Sequence, residues 1–325
     1  MNPFERVALG ATGVTVTRLG LGLAPIGGLY AQVGDDAAAA TVDAAWRHGI
    51  RFFDTAPLYG AGLSEQRAGA ALAGRERSAY TLSTKVGRRL VPGHVEPSDV
   101  WAEPTGQVPV WDFSAEGIRA GYRESLGRLG LDRADVLHLH DPDDHFTPAL
   151  TEALPALVDL RRSGEIGAVS AGMNQSAMLT EFARTGAFDC FLLAGRYTLL
   201  DQSGLADLLP ECARRGVSVV AAGVYNSGVL ADPAAGATFD YRPVEPSVLA
   251  KVQAMVQVCA RHEVPLRAAA LQFPFGHPAV ASVLVGMRSP AEVADAVAMA
   301  SIDIPGQLWR DLKADGLLDP EVPTP

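Results

Sequence analysis

The stretch Arg51-Phe52-Phe53-Asp54-Thr55-Ala56-Pro57-Leu58-Tyr59-Gly60 passes from a short apolar run into a turn marked by Pro57 and Gly60, and an amphipathic stretch, Ser64–Leu72, follows it. That is the pattern of a buried parallel strand feeding a helix. The same unit recurs along the chain. Strand candidates are Leu19–Leu23, Arg51–Asp54, Tyr80–Lys85, Val136–His140, Ala168–Ala171, Cys190–Ala194, Val217–Ala222 and Ala281–Val285. Helix candidates alternate with them: Ala37–His48, Ser64–Leu72, Ala115–Leu129, Thr147–Ser163, Asn174–Thr185, Leu205–Arg215, Ser247–His262 and Pro290–Met299. Eight strand-then-helix units predict a closed (β/α)8 barrel, the TIM barrel, rather than an open sheet. No linker, repeat or low-complexity tract divides residues 1–325, so one domain is expected.

Three segments fall outside the rhythm. Residues 5–17, with Gly10-Ala11-Thr12-Gly13 between two β-prone runs, read as a hairpin ahead of the first barrel strand. Residues 86–113 hold four Pro, three Gly, Trp101 and Trp111 without periodicity, and are expected to form a long substrate-lid loop. The tail from Pro305 carries one more short helix. A doubly wound dinucleotide fold is the rival architecture. Gly20-Leu21-Gly22 begins its glycine fingerprint, but Pro25 stands at the third glycine position, where the helix must pack against the strand.

Bulk composition excludes several classes. A formal net charge of -10 argues against a nucleic-acid partner, which needs a basic surface. Cys190, Cys212 and Cys259 are widely spaced and suggest neither a disulfide framework nor a zinc site. The first residues lack a signal-peptide pattern and no apolar run is long enough to span a bilayer, so a cytoplasmic protein without a membrane partner is expected.

In such a barrel, catalytic groups lie at the C-terminal ends of strands. Asp54, Lys85 and His140 end the second, third and fourth strand candidates, and Tyr59 follows in the loop after the second. Reducing a carbonyl needs a proton donor near the developing alkoxide, and oxidising an alcohol needs the same group as a base. A free tyrosine titrates near ~10, and a lysine ammonium beside it favours the phenolate. An aspartate would pair that lysine, and a histidine would polarise the reacting oxygen. Each has a duller reading: Asp54 as a loop cap, Lys85 as a strand-end charge, His140 as a satisfied buried imidazole. Their joint placement favours chemistry.

Together, Phe52-Phe53-Asp54-Thr55-Ala56-Pro57-Leu58-Tyr59-Gly60, Ser83-Thr84-Lys85-Val86-Gly87 and His138-Leu139-His140-Asp141 resemble the aldo-keto reductase superfamily. The likeness runs from about Leu9 to about Leu317 and includes Gly130-Leu131-Asp132 and Gly164-Glu165-Ile166-Gly167. It implies an oxidoreductase that moves hydride between a nicotinamide cofactor and a carbonyl or hemiacetal carbon. Tyr59 is then the acid/base, Lys85 and Asp54 tune it, and His140 orients the substrate. It also implies that Ser170 and Asn174, in Ser170-Ala171-Gly172-Met173-Asn174-Gln175, hold the nicotinamide carboxamide, although Asn174 is also placed to cap the following helix. Ala194 and Ala222 depart from the wider family, where a glutamine and a stacking aromatic are common. Tyr197–Gln202, Val224–Gly228 and His140–Asp143 are similar to the subgroup of L-fucose, D-threo-aldose, L-galactose and pyridoxal dehydrogenases.

Cofactor phosphates are expected around the loops after the seventh and eighth strands, at Gly223, Asn226, Ser227 and Gly228, and at Gly286, Arg288 and Ser289, where a helix opens. Glu292 falls near the position where relatives that prefer NADP often carry an arginine. A carboxylate there repels a 2′-phosphate and accepts from a ribose hydroxyl, which favours NAD, while Arg288 leaves NADP open. Tyr30, Trp101 and Trp111 are candidate walls for a small-molecule substrate, a sugar or a pyridine. His138 and His140 share a strand face beside Asp141, Asp143 and Asp144, yet strand histidines more often satisfy local hydrogen bonds, and no metal is assigned. The expected activity is an NAD-dependent aldose or pyridoxal dehydrogenase. The alternatives are an NADPH-dependent aldehyde or ketone reductase, and a non-catalytic nucleotide-binding sensor or accessory subunit.

Overall fold

A computed structural model describes residues 1–94, 100–103, 105–234, 236–240 and 242–325. In chain order its strands are β1 (Arg6–Ala8), β2 (Thr15–Thr17), β3 (Leu19–Gly22), β4 (Phe52–Asp54), β5 (Thr81–Val86), β6 (Arg88–Pro92), β7 (Gln107–Trp111), β8 (Val136–His140), β9 (Ala168–Met173), β10 (Cys190–Ala194), β11 (Ser218–Ala222), β12 (Thr238–Phe239), β13 (Arg242–Pro243) and β14 (Val280–Gly286). The strands β3, β4, β5, β8, β9, β10, β11 and β14 form a closed, all-parallel barrel, with β14 pairing β3 to shut the ring. Helices cross back over the outside, among them Asp35–His48, Leu63–Leu72, Ala115–Leu129, Ser176–Arg184 and Pro290–Ser301. The (β/α)8 architecture expected from the alternation is the one observed.

Side chains alternate across a strand, so residues two apart share a face. The inner face therefore reads upward as Phe52 then Asp54, Ser83 then Lys85, Val136 then His138 then His140, and Cys190 then Leu192 then Ala194. Leu9, Val16, Phe52, Val136, Ala168, Cys190 and Ala281 form one buried cluster at its base. Leu9 and Val16 belong to the hairpin β1–β2, which closes the N-terminal end as the turn signals predict. The barrel interior is thus mainly apolar below and ionisable above.

Local signals fix the helix ends. Ser114 accepts from the Gly117 backbone N–H at 3.0 Å to cap the helix Ala115–Leu129, and Gly130 ends it in the left-handed conformation. A helix over Leu266–Gln272, between β11 and β14, is not signalled by the periodicity, because almost every residue of it is buried. The helical turn from Phe146 starts after His145 without a side-chain cap.

Residues 86–113 are not the structureless loop that their composition suggests. The strands β6 and β7 pair antiparallel over Arg88–Pro92 and Gln107–Trp111. Neither strand is buried on either face, so no period-two pattern marks them, and Pro92 and Pro109 sit where an isolated pair tolerates them. Residues 95–99 and 104 of the expected lid lie outside the described residues.

The loop after β4 is pinned tightly. Ser64 Oγ donates to the Leu23 carbonyl at 2.8 Å and lies 2.8 Å from Thr55 Oγ1. Gly60 has φ +61, and a Cβ there would sit 2.1 Å from the Gly27 carbonyl oxygen. Gly60→Ala is therefore expected to destabilise the fold by about 1–3 kcal/mol in denaturant titration and to lower turnover by displacing the neighbouring Tyr59.

Candidate active site

At the C-terminal mouth of the barrel a cavity of about 360 Å³ is lined by Tyr59, Lys85, Trp101, His140, Asp141 and Asn174, with aliphatic walls that include Leu29, Leu58 and Leu192. Asp54 lies just beneath. Lys85 Nζ donates to Asp54 Oδ2 at 2.6 Å and to the Thr55 carbonyl at 2.8 Å, and Ser83 Oγ donates to Asp54 Oδ1 at 2.7 Å. Both charged side chains are almost fully buried. The Tyr59 ring centroid stands 4.8 Å from Lys85 Nζ, and the Tyr59 and His140 rings meet edge to face at 5.9 Å. The four residues drawn from the second, third and fourth strand ends are thus brought together.

The electrostatics differ in one respect from the sequence expectation. Lys85 does pull the Tyr59 phenol towards ionisation, but burial is the larger effect and Asp54 opposes it. The phenol is pushed up to about 12. Burial alone would discharge Lys85, yet Asp54 and Tyr59 outweigh it and hold its titration above the usual lysine range. Burial, reinforced by Lys85 and Arg88, drives His140 well below the usual imidazole range, so it is neutral at pH 7. His140 Nδ1 is closed off without a partner among the described residues, which places the proton on Nε2, since an unpaired buried donor costs more than an unpaired acceptor.

His138 does not reach the cavity. Its Nδ1 is 2.7 Å from Ser170 Oγ and its Nε2 is 3.6 Å from Asp54 Oδ1. Ser170, expected at the nicotinamide, is therefore one layer too deep: it sits two residues below Gly172 on the inner face of β9, fully buried. Among the described residues no group of three or more His, Cys, Asp or Glu is placed to hold a metal. Asn174 does line the cavity. It is not a helix cap, because the helix begins at Ser176 after Gln175; its Nδ2 donates instead to the Ala194 carbonyl at 2.7 Å.

A second groove, of about 410 Å³, adjoins the cavity through Leu29 and is lined by Gly223, Asn226, Ser227, Gly228, Gly286, Arg288 and Glu292. Asn226 and Ser227 both have left-handed backbones, φ 46 and 59, and Asn226 Oδ1 is buried without a partner among the described residues. Such strain persists only where surroundings enforce it and concentrates at functional sites. Ser289 caps the helix Pro290–Ser301 by accepting from Glu292 N–H at 3.2 Å. Glu292 reaches back to the Arg288 backbone N–H at 2.9 Å and pairs with the Arg288 guanidinium at 3.3 Å. The helix start expected to attract a phosphate already has its own carboxylate.

The candidate substrate walls separate. Trp101 lines the cavity and lies 5.9 Å from the Tyr59 ring, whereas Tyr30 lines the groove instead. Trp111, at the end of β7, stacks on Phe113 and under Arg88 and is absent from both linings. Asp141, weighed in the sequence only beside the strand histidines, and Tyr225 line the two spaces: each sits inside a quoted motif, but nothing in the pattern says which way it points.

Removing one partner of a buried pair strands the other charge. Lys85→Met is expected to cost about 3–5 kcal/mol by calorimetry or denaturant titration, with much of it recovered in Lys85→Met/Asp54→Leu. The lysine and the phenol both titrate higher in the fold than free, so their stabilisation is present below pH ~10 and lost as pH rises beyond it.

Residues 18–314 match the model of the aldo/keto reductase family. The chain is 41% identical to a D-threo-aldose 1-dehydrogenase of a Pseudomonas species, covering 98% of each chain, and 39% identical to a pyridoxal 4-dehydrogenase of Microbacterium luteolum, covering 97% and 98%. Its fold superposes on the holo form of an aldo-keto reductase from Bacillus halodurans with a TM-score of 0.76, 26% identity and 96% of each chain covered. With the barrel, the four residues gathered at its mouth and a match across nearly its whole length, the chain belongs to the aldo/keto reductase family of oxidoreductases.

Proposed function

We propose that this oxidoreductase is an NAD-dependent dehydrogenase of an aldose, of the L-fucose or D-threo-aldose kind, or of pyridoxal, with Tyr59 as its acid/base. The observation that carries the reading is the meeting of a phenol, a neutral imidazole and a charge-compensated lysine at one cavity, beside a strained polar groove. The names of the two relatives support the substrate class.

The residues present fit a nicotinamide nucleotide. Asn174 already directs its amide N–H to Ala194, leaving Oδ1 to accept from a carboxamide. Asn226 Oδ1 is an unsatisfied acceptor in the groove, and Gly223, Ser227 and Gly228 leave the backbone approachable. The Glu292 carboxylate, engaged with Arg288 across the start of the helix, supports NAD over NADP: a 2′-phosphate would have to displace it, while a ribose hydroxyl can donate to it. A nicotinamide held by Asn174 and the groove would supply the acceptor for a hydride from the substrate carbon.

The chain's own residues handle the proton. Tyr59 accepts it from the substrate hydroxyl, Lys85 stabilises the phenolate, and Asp54 keeps Lys85 charged without touching substrate. His140 donates from Nε2 to the reacting oxygen. Because Tyr59 holds its proton up to about 12, oxidation, which starts from the phenolate, gains rate as pH rises through the alkaline range. The same protonated phenol favours a second reading, an NADPH-dependent reductase of aldehydes or ketones, which starts from the phenol and needs no alkaline pH.

Two measurements test this. In an assay of sugar oxidation, Tyr59→Phe is expected to lower kcat by roughly 10²–10⁴-fold while cofactor Kd, read by fluorescence quenching, changes little; unchanged turnover would remove Tyr59 from the mechanism. Glu292→Arg is expected to move the ratio of kcat/KM for NAD and NADP towards NADP by at least ~10-fold, about the value of one charge-assisted contact. An unmoved ratio would take Glu292 out of cofactor choice.

A further inference from the structure

Among the described residues only seven other than glycine have positive φ, and four of them, Tyr30, Asp141, Asn226 and Ser227, line the cavity or the groove. Asp141 is the one beside the proton-transfer groups. It follows His140 directly, leaves β8 with φ 42, and donates its backbone N–H to the Gly172 carbonyl at 3.0 Å. The turn swings its carboxylate into the cavity wall. Asp141 Oδ2 accepts from Arg88 Nη2 at 2.6 Å and lies 3.7 Å from His140 Nε2. Oδ1 takes no hydrogen bond from any described residue. Arg88 is itself anchored, with its guanidinium over the Trp111 ring at 4.0 Å.

The geometry points to Asp141 as a specificity-determining residue, whose carboxylate accepts a hydrogen bond from a hydroxyl on the carbon next to the reacting one. The reacting oxygen belongs at His140 Nε2, and the Asp141 carboxylate, whose Oδ2 is 3.7 Å from that nitrogen and whose Oδ1 is not taken by Arg88, is within reach of the substituent on the neighbouring carbon. Vicinal hydroxyls of a sugar are spaced to meet such a pair of groups, one donor and one acceptor. Charge narrows the class further. Lys85 in the cavity is already paired with Asp54, and Arg88, behind the cavity wall, with Asp141. A phosphorylated or carboxylated substrate would find no free cation among these two and would face the Asp141 carboxylate, so the fit is to a neutral polyhydroxylated compound. The aliphatic and indole surfaces of Leu29, Leu58 and Trp101 suit the C–H face of a sugar ring. A simple aldehyde would leave Asp141 Oδ1 at the cavity wall without the hydroxyl donor it is placed to meet, which is how a site disfavours an analogue that lacks one hydroxyl.

This inference rests on the dehydrogenase reading above. The test compares kcat/KM for an aldose that the enzyme oxidises with that for its 2-deoxy analogue, in the wild type, Asp141→Asn and Asp141→Ala. The wild type is expected to prefer the hydroxylated sugar by on the order of 10–100-fold, as for a hydrogen bond to a charged group. Asp141→Ala should bring the ratio close to one, and Asp141→Asn, which keeps an acceptor but not the charge, should fall between. Each ratio is taken within one variant, so a general loss of stability cancels. A wild type indifferent to the 2-hydroxyl, or an Asp141→Ala variant that keeps the wild-type ratio, overturns the assignment while leaving the dehydrogenase reading standing. Failure of the wild type to oxidise any aldose overturns the assignment and leaves pyridoxal to the dehydrogenase reading; failure with pyridoxal as well overturns both.

Discussion

An ammonium group buried to within a few per cent must be neutralised by something fixed in place, and here the carboxylate of Asp54, 2.6 Å from Lys85 Nζ, does that. Much follows from the pairing. Asp54 has to stand at the top of a strand adjacent to that of Lys85, which the parallel register of β4 and β5 provides by setting Asp54 level with Ser83. The Thr55 carbonyl takes another of the ammonium's protons, which fixes the start of the loop that carries Tyr59. A phenol delivered above a permanently charged lysine has a partner for its conjugate base, even though burial keeps it protonated in the resting site.

The barrel supplies the gradient that makes this pairing stable. Below the pair, Phe52, Val136, Ala168 and Cys190 fill much of the interior. Above it, the strands end in turns whose backbones are forced into sparsely populated conformations at Asp141, Asn226 and Ser227. The rigid lower layer over-determines the upper one. Polar atoms without partners, such as Asn226 Oδ1 and His140 Nδ1, are found in the upper layer.

How much of this is legible in the sequence depends on whether the signal is local. Short apolar runs followed by helical stretches reveal the barrel. Asp54, Lys85 and His140 stand out because packing alone seldom places an ionisable residue at the end of an apolar strand. Ser170 is misplaced by the same logic: a motif shows order along the chain, but the inner face of β9 puts Gly172 at the cavity and Ser170 a layer below. Trp111 is an aromatic in the right segment whose ring is taken by Phe113 and Arg88. The pairing of Arg88–Pro92 with Gln107–Trp111 is invisible because neither face of that ribbon is buried. Glu292 and Arg288, weighed as independent charges in the sequence, engage each other in the fold.

The central claim is that the mouth of this barrel oxidises a neutral hydroxylated carbon and reduces NAD. The most direct measurement follows the absorbance of reduced nicotinamide at alkaline pH, with NAD and NADP offered in parallel against L-fucose, D-arabinose, L-galactose and pyridoxal. The account predicts reduction of NAD, faster than of NADP, with at least one of these compounds. Silence with all of them, together with consumption of NADPH in the presence of simple aldehydes, would contradict it.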